Sequence, residues 1–539
     1  MNTLFPLALL LQTGCLLGPK KPMPDLMIYA KSFAQEPEEL QQDVLLITDG
    51  HIVSRMSAAK ADRKYKGGPA KLTADRVSAG LVDAHGHPAG LGRAMTELNL
   101  NQTTTFAQVL QHIEAQAEQL PNDEPDRWLV GRGWDQNDWN DAPSGGWPTA
   151  AHLDAIDASR PIAIRRIDGH ALWVNSKAMS LASINSSTQD PQGGWIFRDD
   201  NGEPTGILLD DAMDLIPVPG PSVSEQKEHL KVAFRALMET GLTGVHAMGV
   251  TDSAMQALYD LNGQGELPLR VWAYASVGSK AAQQLLLDGP QHTEHLKVIG
   301  IKAFADGALG SRGALLSQDY ADTPEHKGLA LTSEDELTDL ASRCLQAEVQ
   351  LAVHAIGDAA VTMVLNAFVR TRAQVPDKHH IPLRIEHAQV VTPKDRPRFS
   401  ENNIIASMQP IHAVSDGPWA AQRLGPERMP WAYAFKALQQ SGATLAFGSD
   451  FPVEDHNPLL GLEAATHRGC EPGFCLSAHD ALHAFTAGAA QATGQVGQAA
   501  TLSIGSRADI TLWESHEQGA FPFRPVATIL GGSVVWSAR

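Results

Sequence analysis

Along most of the chain, short apolar runs rich in Val, Ile, Leu and Ala end in polar residues and alternate with stretches of helical spacing. This alternation predicts an α/β fold with a parallel sheet. Strands buried on both faces read as continuous apolar runs, not as period-two alternation. Eight runs qualify: Leu81–His87, Thr243–His246, Leu269–Tyr274, Gly300–Phe304, Gln350–His354, Leu383–His387, Ile404–Gln409 and Thr444–Asp450. From the second onward their starts lie 21 to 50 residues apart, which suits strand-plus-crossover-helix units. Eight such units predict a (β/α)8 barrel over residues 80–499.

The first interval is too long for one unit, since 243 − 81 is 162 residues. A large insertion after strand 1 is therefore expected, placed at 115–235. It is rich in Trp and Gly, and reads either as a packed subdomain or as a lid over the barrel mouth. The two ends differ from the middle. Residues 23–79 and 500–539 carry short strand-like runs and turns, and are expected to pair into one small composite β-sandwich domain. Residues 1–22 hold the apolar run LFPLALLL followed by Gln-Thr-Gly-Cys15. That run is too short to span a bilayer and long enough for a signal core, and Cys15 stands where a lipoprotein anchor is acylated. Export, to the periplasm or on a lipid anchor at Cys15, and a cytoplasmic location both stay open.

Composition narrows the partners. Of 539 residues, Lys plus Arg number 42 and Asp plus Glu 61, a formal net charge of −19. A field of that sign repels phosphate backbones, so nucleic-acid binding is not expected, and a small-molecule partner is. Four cysteines exclude a disulfide scaffold, although Cys470 and Cys475 flank a Pro-Gly turn and can pair in an oxidising compartment.

The candidate chemistry sits at the carboxyl ends of the expected strands, where barrel enzymes build their sites. Asp83-Ala-His85-Gly-His87 offers two imidazoles two residues apart, able to reach one ion. Lys302 lies inside an apolar strand, which is costly unless its charge is paired, with Asp306 for example, or chemically removed. His354 and His387 each end a strand one unit apart. Asp450 follows Gly-Ser at the end of the last strand, placed to bind metal or take a proton. His170, His246, Gln409 and His412 are candidates for contacting substrate, and Asp83 and Asp306 for supporting the ligands from behind.

With these motifs the chain resembles the amidohydrolase superfamily of metal-dependent hydrolases, in the branch typified by formamide deformylases and YtcJ-like proteins. The resemblance runs from about residue 40 to the C terminus. It is carried by Gly80-Leu-Val-Asp-Ala-His-Gly-His87, Asp168-Gly-His170, Lys302 with the Phe304–Arg312 loop, His354-Ala-Ile-Gly-Asp358, Glu386-His387 and Phe447-Gly-Ser-Asp-Phe-Pro-Val453. It implies a distorted TIM barrel with one or two zinc ions. His85 and His87 would hold one ion with Asp450, His354 and His387 a second, and Lys302, carboxylated by carbon dioxide, would bridge them. The implied reaction is hydrolysis of a non-peptide C–N bond, of amide or formamide type, by zinc-activated hydroxide, with Asp450 moving the proton. Ester or lactone hydrolysis and deamination are alternatives on the same site, and a non-catalytic binding relative is a third.

Overall fold

In the computed structural model, eight parallel strands stand in hydrogen-bonded order around a nearly closed barrel. They are β1 (Leu81–Gly86), β2 (Leu242–Val250), β3 (Arg270–Ser276), β4 (Leu296–Phe304), β5 (Gln350–Ala355), β6 (Leu383–His387), β7 (Ile404–Met408) and β8 (Thr444–Phe447). The described residues are 23–34, 43–66, 68–101, 103–120, 126–143, 146–167, 171–191, 194–468, 475–495, 500–516 and 522–538. All eight expected runs are strands. β1, β6 and β7 are buried at every position, as a sheet covered on both faces requires. Helices follow the strands and begin on designed caps. Ser222 and Glu225 form a reciprocal cap on the helix Val223–Glu239, and Ser333 and Glu336 do the same for Glu334–Gln346. The fold is a distorted TIM barrel with additional sheets.

Beyond the two ends of the sheet, backbone bonds lace the barrel shut: Asp450 N–H donates to His85 O at 2.7 Å, and His87 N–H to Phe451 O at 2.9 Å. Gly448 is required here, because a Cβ at that position would stand 2.3 Å from the His85 nitrogen.

The insertion departs from its expected limits. A six-stranded sheet runs from Leu98–Asn99 to Pro204–Asp210, so the excursion starts nearer residue 98 than 115. The helix Val223–Glu239, read as its end, leads into β2 and packs on Pro88–Thr96. A two-residue first strand leaves no periodic signal, which is why the onset was displaced. Three of its tryptophans lie in its own core: Trp134 and Trp173 are wholly buried and pack with the buried Trp139 and with Phe106, whereas Trp195 is exposed.

Among the described residues, those of 23–81 and 500–538 make a separate unit. Its seven strands, drawn from both ends of the chain, form one continuous sheet in which Ala70–Ala79 pairs with both Leu26–Phe33 and Ile510–Ser515. Aliphatic residues such as Ile28, Leu45, Ile510 and Ile529 fill one core, and Met27, Val44, Leu46 and Tyr65 another. Among the described residues no helix is long and apolar enough to cross a membrane. The leader with Cys15, the segment Asp168–His170 and Cys470 of the expected Cys470–Cys475 pair lie outside the described residues.

Candidate metal centre

The strand ends bring six of the expected side chains into one group. His85 Nε2 lies 3.4 Å from Asp450 Oδ1, and His87 Nε2 lies 3.0 Å from the same oxygen. The ring of His387 is centred 4.9 Å from that of His85 and 4.5 Å from that of His354. His412, expected only as a substrate contact, reaches the other Asp450 oxygen at 3.4 Å and Glu454 at 3.2 Å. The donor atoms of His85, His87 and Asp450 lie within 4.8 Å of one another, as do those of His387, His412 and Asp450. His387 and Asp450 both adopt left-handed backbone, φ 71° and 65°, a conformation that costs non-glycine residues on the order of 1–3 kcal/mol and concentrates at working sites.

The hydrogen bonds behind the rings decide what the front can hold. His87 Nδ1 is 2.9 Å from Met248 O, and His85 Nδ1 is 2.6 Å from Glu386 Oε2. Both partners can only accept, so both Nδ1 atoms donate. In a neutral ring the lone pair then sits on Nε2 and faces the Asp450 carboxylate. Acceptor faces acceptor, an arrangement that a cation between them resolves. Burial favours the neutral rings: it lowers His85 to about 4 and His354 to about 3, and with the nearby His354 charge it holds His387 well below its ordinary range. Asp450 is well below the usual carboxylate range; burial opposes this, and its close contacts with the rings of His85, His412 and His87 prevail. His412 goes the other way. Burial would lower it, yet its bonds to Asp450 and Glu454 raise it to about 9.

Lys302 is 1% exposed on β4, and its ammonium has no hydrogen-bond partner. Burial lowers it to about 8. The expected pairing with Asp306 does not occur. Asp306 instead accepts from the N–H groups of Leu315, Ile356 and Gly357 at 2.8 to 3.0 Å, and lies 3.5 Å from His354 Nε2. Three backbone donors satisfy that carboxylate and tie the loop after β4 to the end of β5.

Other expectations are corrected in place. His246 is fully buried, with its Nδ1 2.9 Å from Arg384 Nη1. β2 continues four residues past it, which sets the ring deeper in the barrel than a strand ending at His246 allows. Asp83 supports His85 through its backbone and not through its ring. It accepts from the backbone N–H of His85 at 2.9 Å and from Ser449 Oγ at 2.7 Å, pinning the β1 and β8 ends together. Gln409 is buried just past β7, its side-chain nitrogen 3.4 Å from Ser407 O. The residue that orients His85 is Glu386, whose neighbour in sequence, His387, had drawn the attention.

The site residues therefore suit a divalent cation: three neutral imidazoles, a carboxylate that stays charged, and a buried amine without a hydrogen-bond partner. The amidohydrolase family model matches residues 73–536. The chain belongs to the amidohydrolase family. This amidohydrolase is 33% identical over 492 residues to YtcJ of Bacillus subtilis (strain 168), covering 87% of this chain and 90% of that protein. It is 24% identical over 461 residues to the N-substituted formamide deformylase of Arthrobacter pascens, covering 80% and 82%. An uncharacterized metal-dependent hydrolase from Pyrococcus furiosus superposes with a TM-score of 0.75 at 28% identity, over 90% of this chain and 98% of that one. Family and fold together identify a metal-dependent hydrolase.

Proposed function

We propose that this amidohydrolase hydrolyses a non-peptide C–N bond of amide or formamide type in a small molecule, using zinc. The observation that carries the reading is the pair of Nε2 lone pairs of His85 and His87 aimed at one Asp450 oxygen, with the partnerless Lys302 amine in the same strand-end layer. His85, His87 and Asp450 would hold one ion; His354 and His387 would hold a second. Lys302, as a carbamate formed from its amine and carbon dioxide with loss of a proton, would join them. His412 is close enough to Asp450 to share in either task. A divalent cation there supplies Lewis acidity, polarising the substrate carbonyl and making a water acidic near neutral pH.

The chain's own residues do the rest. Asp450, kept anionic, takes the proton of the attacking water and delivers it to the nitrogen as the C–N bond breaks, giving an acid and an amine. His412, hydrogen-bonded between Asp450 and Glu454, holds that carboxylate in line. Phe304, at the end of β4, is 42% exposed, with its ring 5.5 Å from that of His354. An exposed aromatic ring beside the reacting centre favours a substrate with an apolar substituent. The deformylase relative acts, by its name, on N-substituted formamides, which agrees with this class.

The test is a screen of zinc-loaded protein against N-formyl and N-acyl amines, anilides, esters and aminoheterocycles. Amine release from an amide, abolished in Asp450→Asn, is the expected result. Turnover of esters or aminoheterocycles with no amide turned over overturns the reading.

A further inference from the structure

Beneath the ligand layer, a wholly buried Arg384 on β6 fills the barrel interior. Its Nε donates to Glu386 Oε1 at 2.8 Å, and its Nη2 lies 3.2 Å from Glu386 Oε2, 2.8 Å from Ala84 O and 2.9 Å from Ser407 Oγ. Its Nη1 donates to Tyr274 Oη at 3.0 Å and to His246 Nδ1 at 2.9 Å. The partners come from β1, β2, β3, β6 and β7. Tyr274 extends the chain to Gln350 on β5 at 2.6 Å, and Gln350 reaches Ala492 O at 3.3 Å. One guanidinium thus ties five barrel strands at a single level, directly behind the carboxylate that receives His85.

Packing does not explain a charge at this depth. Layers of barrel interiors are ordinarily filled by branched apolar residues, and a buried ion pair is weak grounds for stability because desolvation offsets its attraction. What the arrangement supplies is direction. A planar fork grips both oxygens of a carboxylate and sets its plane, which a point-charge ammonium cannot do.

We infer that Arg384 is a positioning residue for the metal centre: by gripping Glu386 on both oxygens it fixes the acceptor for His85 Nδ1 and so aims His85 Nε2 at Asp450 and the bound ion. The inference rests on the metal-binding reading above. It adds that metal affinity is set partly one layer below the ligands, through a residue that touches neither ion nor substrate.

The experiment measures binding directly, without substrate. Metal-free wild type, Arg384→Lys, Glu386→Gln and Ser407→Ala are titrated with Zn2+ against a chromophoric chelator at neutral pH. Each is also loaded with Co2+ for its visible spectrum and melted without metal. Arg384→Lys and Glu386→Gln are expected to bind the tighter Zn2+ about 10- to 100-fold more weakly, with an altered Co2+ spectrum, and Ser407→Ala, which removes one fixing of Arg384, roughly threefold more weakly. A structural role alone would lower the melting temperature while leaving the affinity and spectrum of the folded protein unchanged, and that result overturns the inference. Should Arg384→Lys fail to fold, wild-type affinity in both Glu386→Gln and Ser407→Ala overturns it equally. Wild type that binds no Zn2+ at all defeats the metal reading itself, a distinguishable outcome.

Discussion

The two halves of the ligand group are very differently held. On the seam between β1 and β8, His85 is backed by Glu386, His87 by Met248 O, and the backbone of both strand ends by Asp83. On the β4–β5 side, Lys302 has no hydrogen-bond partner, and His354 has only contacts of 3.4 and 3.5 Å, to Gly307 O and Asp306. The seam is organised before any ion arrives. The other half is more sparsely bonded, which agrees with the proposal that Lys302 is carboxylated. Under the proposed two-ion reading, this contrast predicts a tighter ion on the seam and a weaker one on the other side.

The largest effect should come from breaking the organised half. Asp450→Asn keeps the shape and removes the charge that faces both Nε2 atoms. Amide turnover should fall by at least roughly 1,000-fold, with the tighter Zn2+ lost, since proton transfer and ion binding fail together. Retained Zn2+ stoichiometry and turnover in that variant would place the ion elsewhere. Next comes Lys302→Ala. Removing one bridging ligand should cost about 3 kcal/mol of transition-state stabilisation, roughly 100-fold in kcat/KM, and lower bound metal from two ions per chain to one. Short carboxylic acids added to the assay should restore part of the rate by standing in for the carbamate. Full activity in the variant removes the bridge from the mechanism. Smaller again is Phe304→Ala, expected to raise KM about tenfold for amides with apolar substituents, with kcat little changed and no shift for small formamides. Indifference to the substituent would detach Phe304 from substrate.

The same contrast shows what the sequence could and could not reveal. All eight barrel strands were legible because each is an apolar run with polar residues at its end, the pattern that burial on both faces imposes. Lys302 was legible for a related reason, since an ammonium within such a run needs an explanation. Depth was not legible. His246 reads as a strand-end substrate contact until β2 is seen to continue past it. Nor was the backing: the partner of Glu386 lies 301 positions away, and a carboxylate beside a ligand histidine carries no mark of which ring it serves. The insertion followed the same rule, because its first strand of two residues has no period to read.

Acid stability of the metal-free protein offers the finest test of the contrast. Burial lowers His354 from 6.5 to about 3, so the unfolded chain takes up a proton near neutrality that the folded chain refuses. The sign follows from linkage: its contribution is fully present above pH 6.5 and is lost as the pH falls from there toward 3. At pH 5 that loss amounts to at most about 2 kcal/mol for this ring. Asp83 and Asp306, raised by burial to about 7, work in the opposite direction over the same range, so the wild-type acid limb is shallow and only a difference between proteins isolates the histidine. His354→Asn should melt like wild type above pH 7 and at a higher temperature than wild type near pH 5, because a weakly held ring is exchanged for a group that does not titrate. His85→Asn removes the hydrogen bond to the buried Glu386 as well, and should melt below wild type at every pH, by about 3 kcal/mol of lost stability where an ionised partner is left uncompensated. Coincident curves for the two variants would mean that the two halves are held alike, and the distinction between an organised seam and a sparsely bonded partner side would fall.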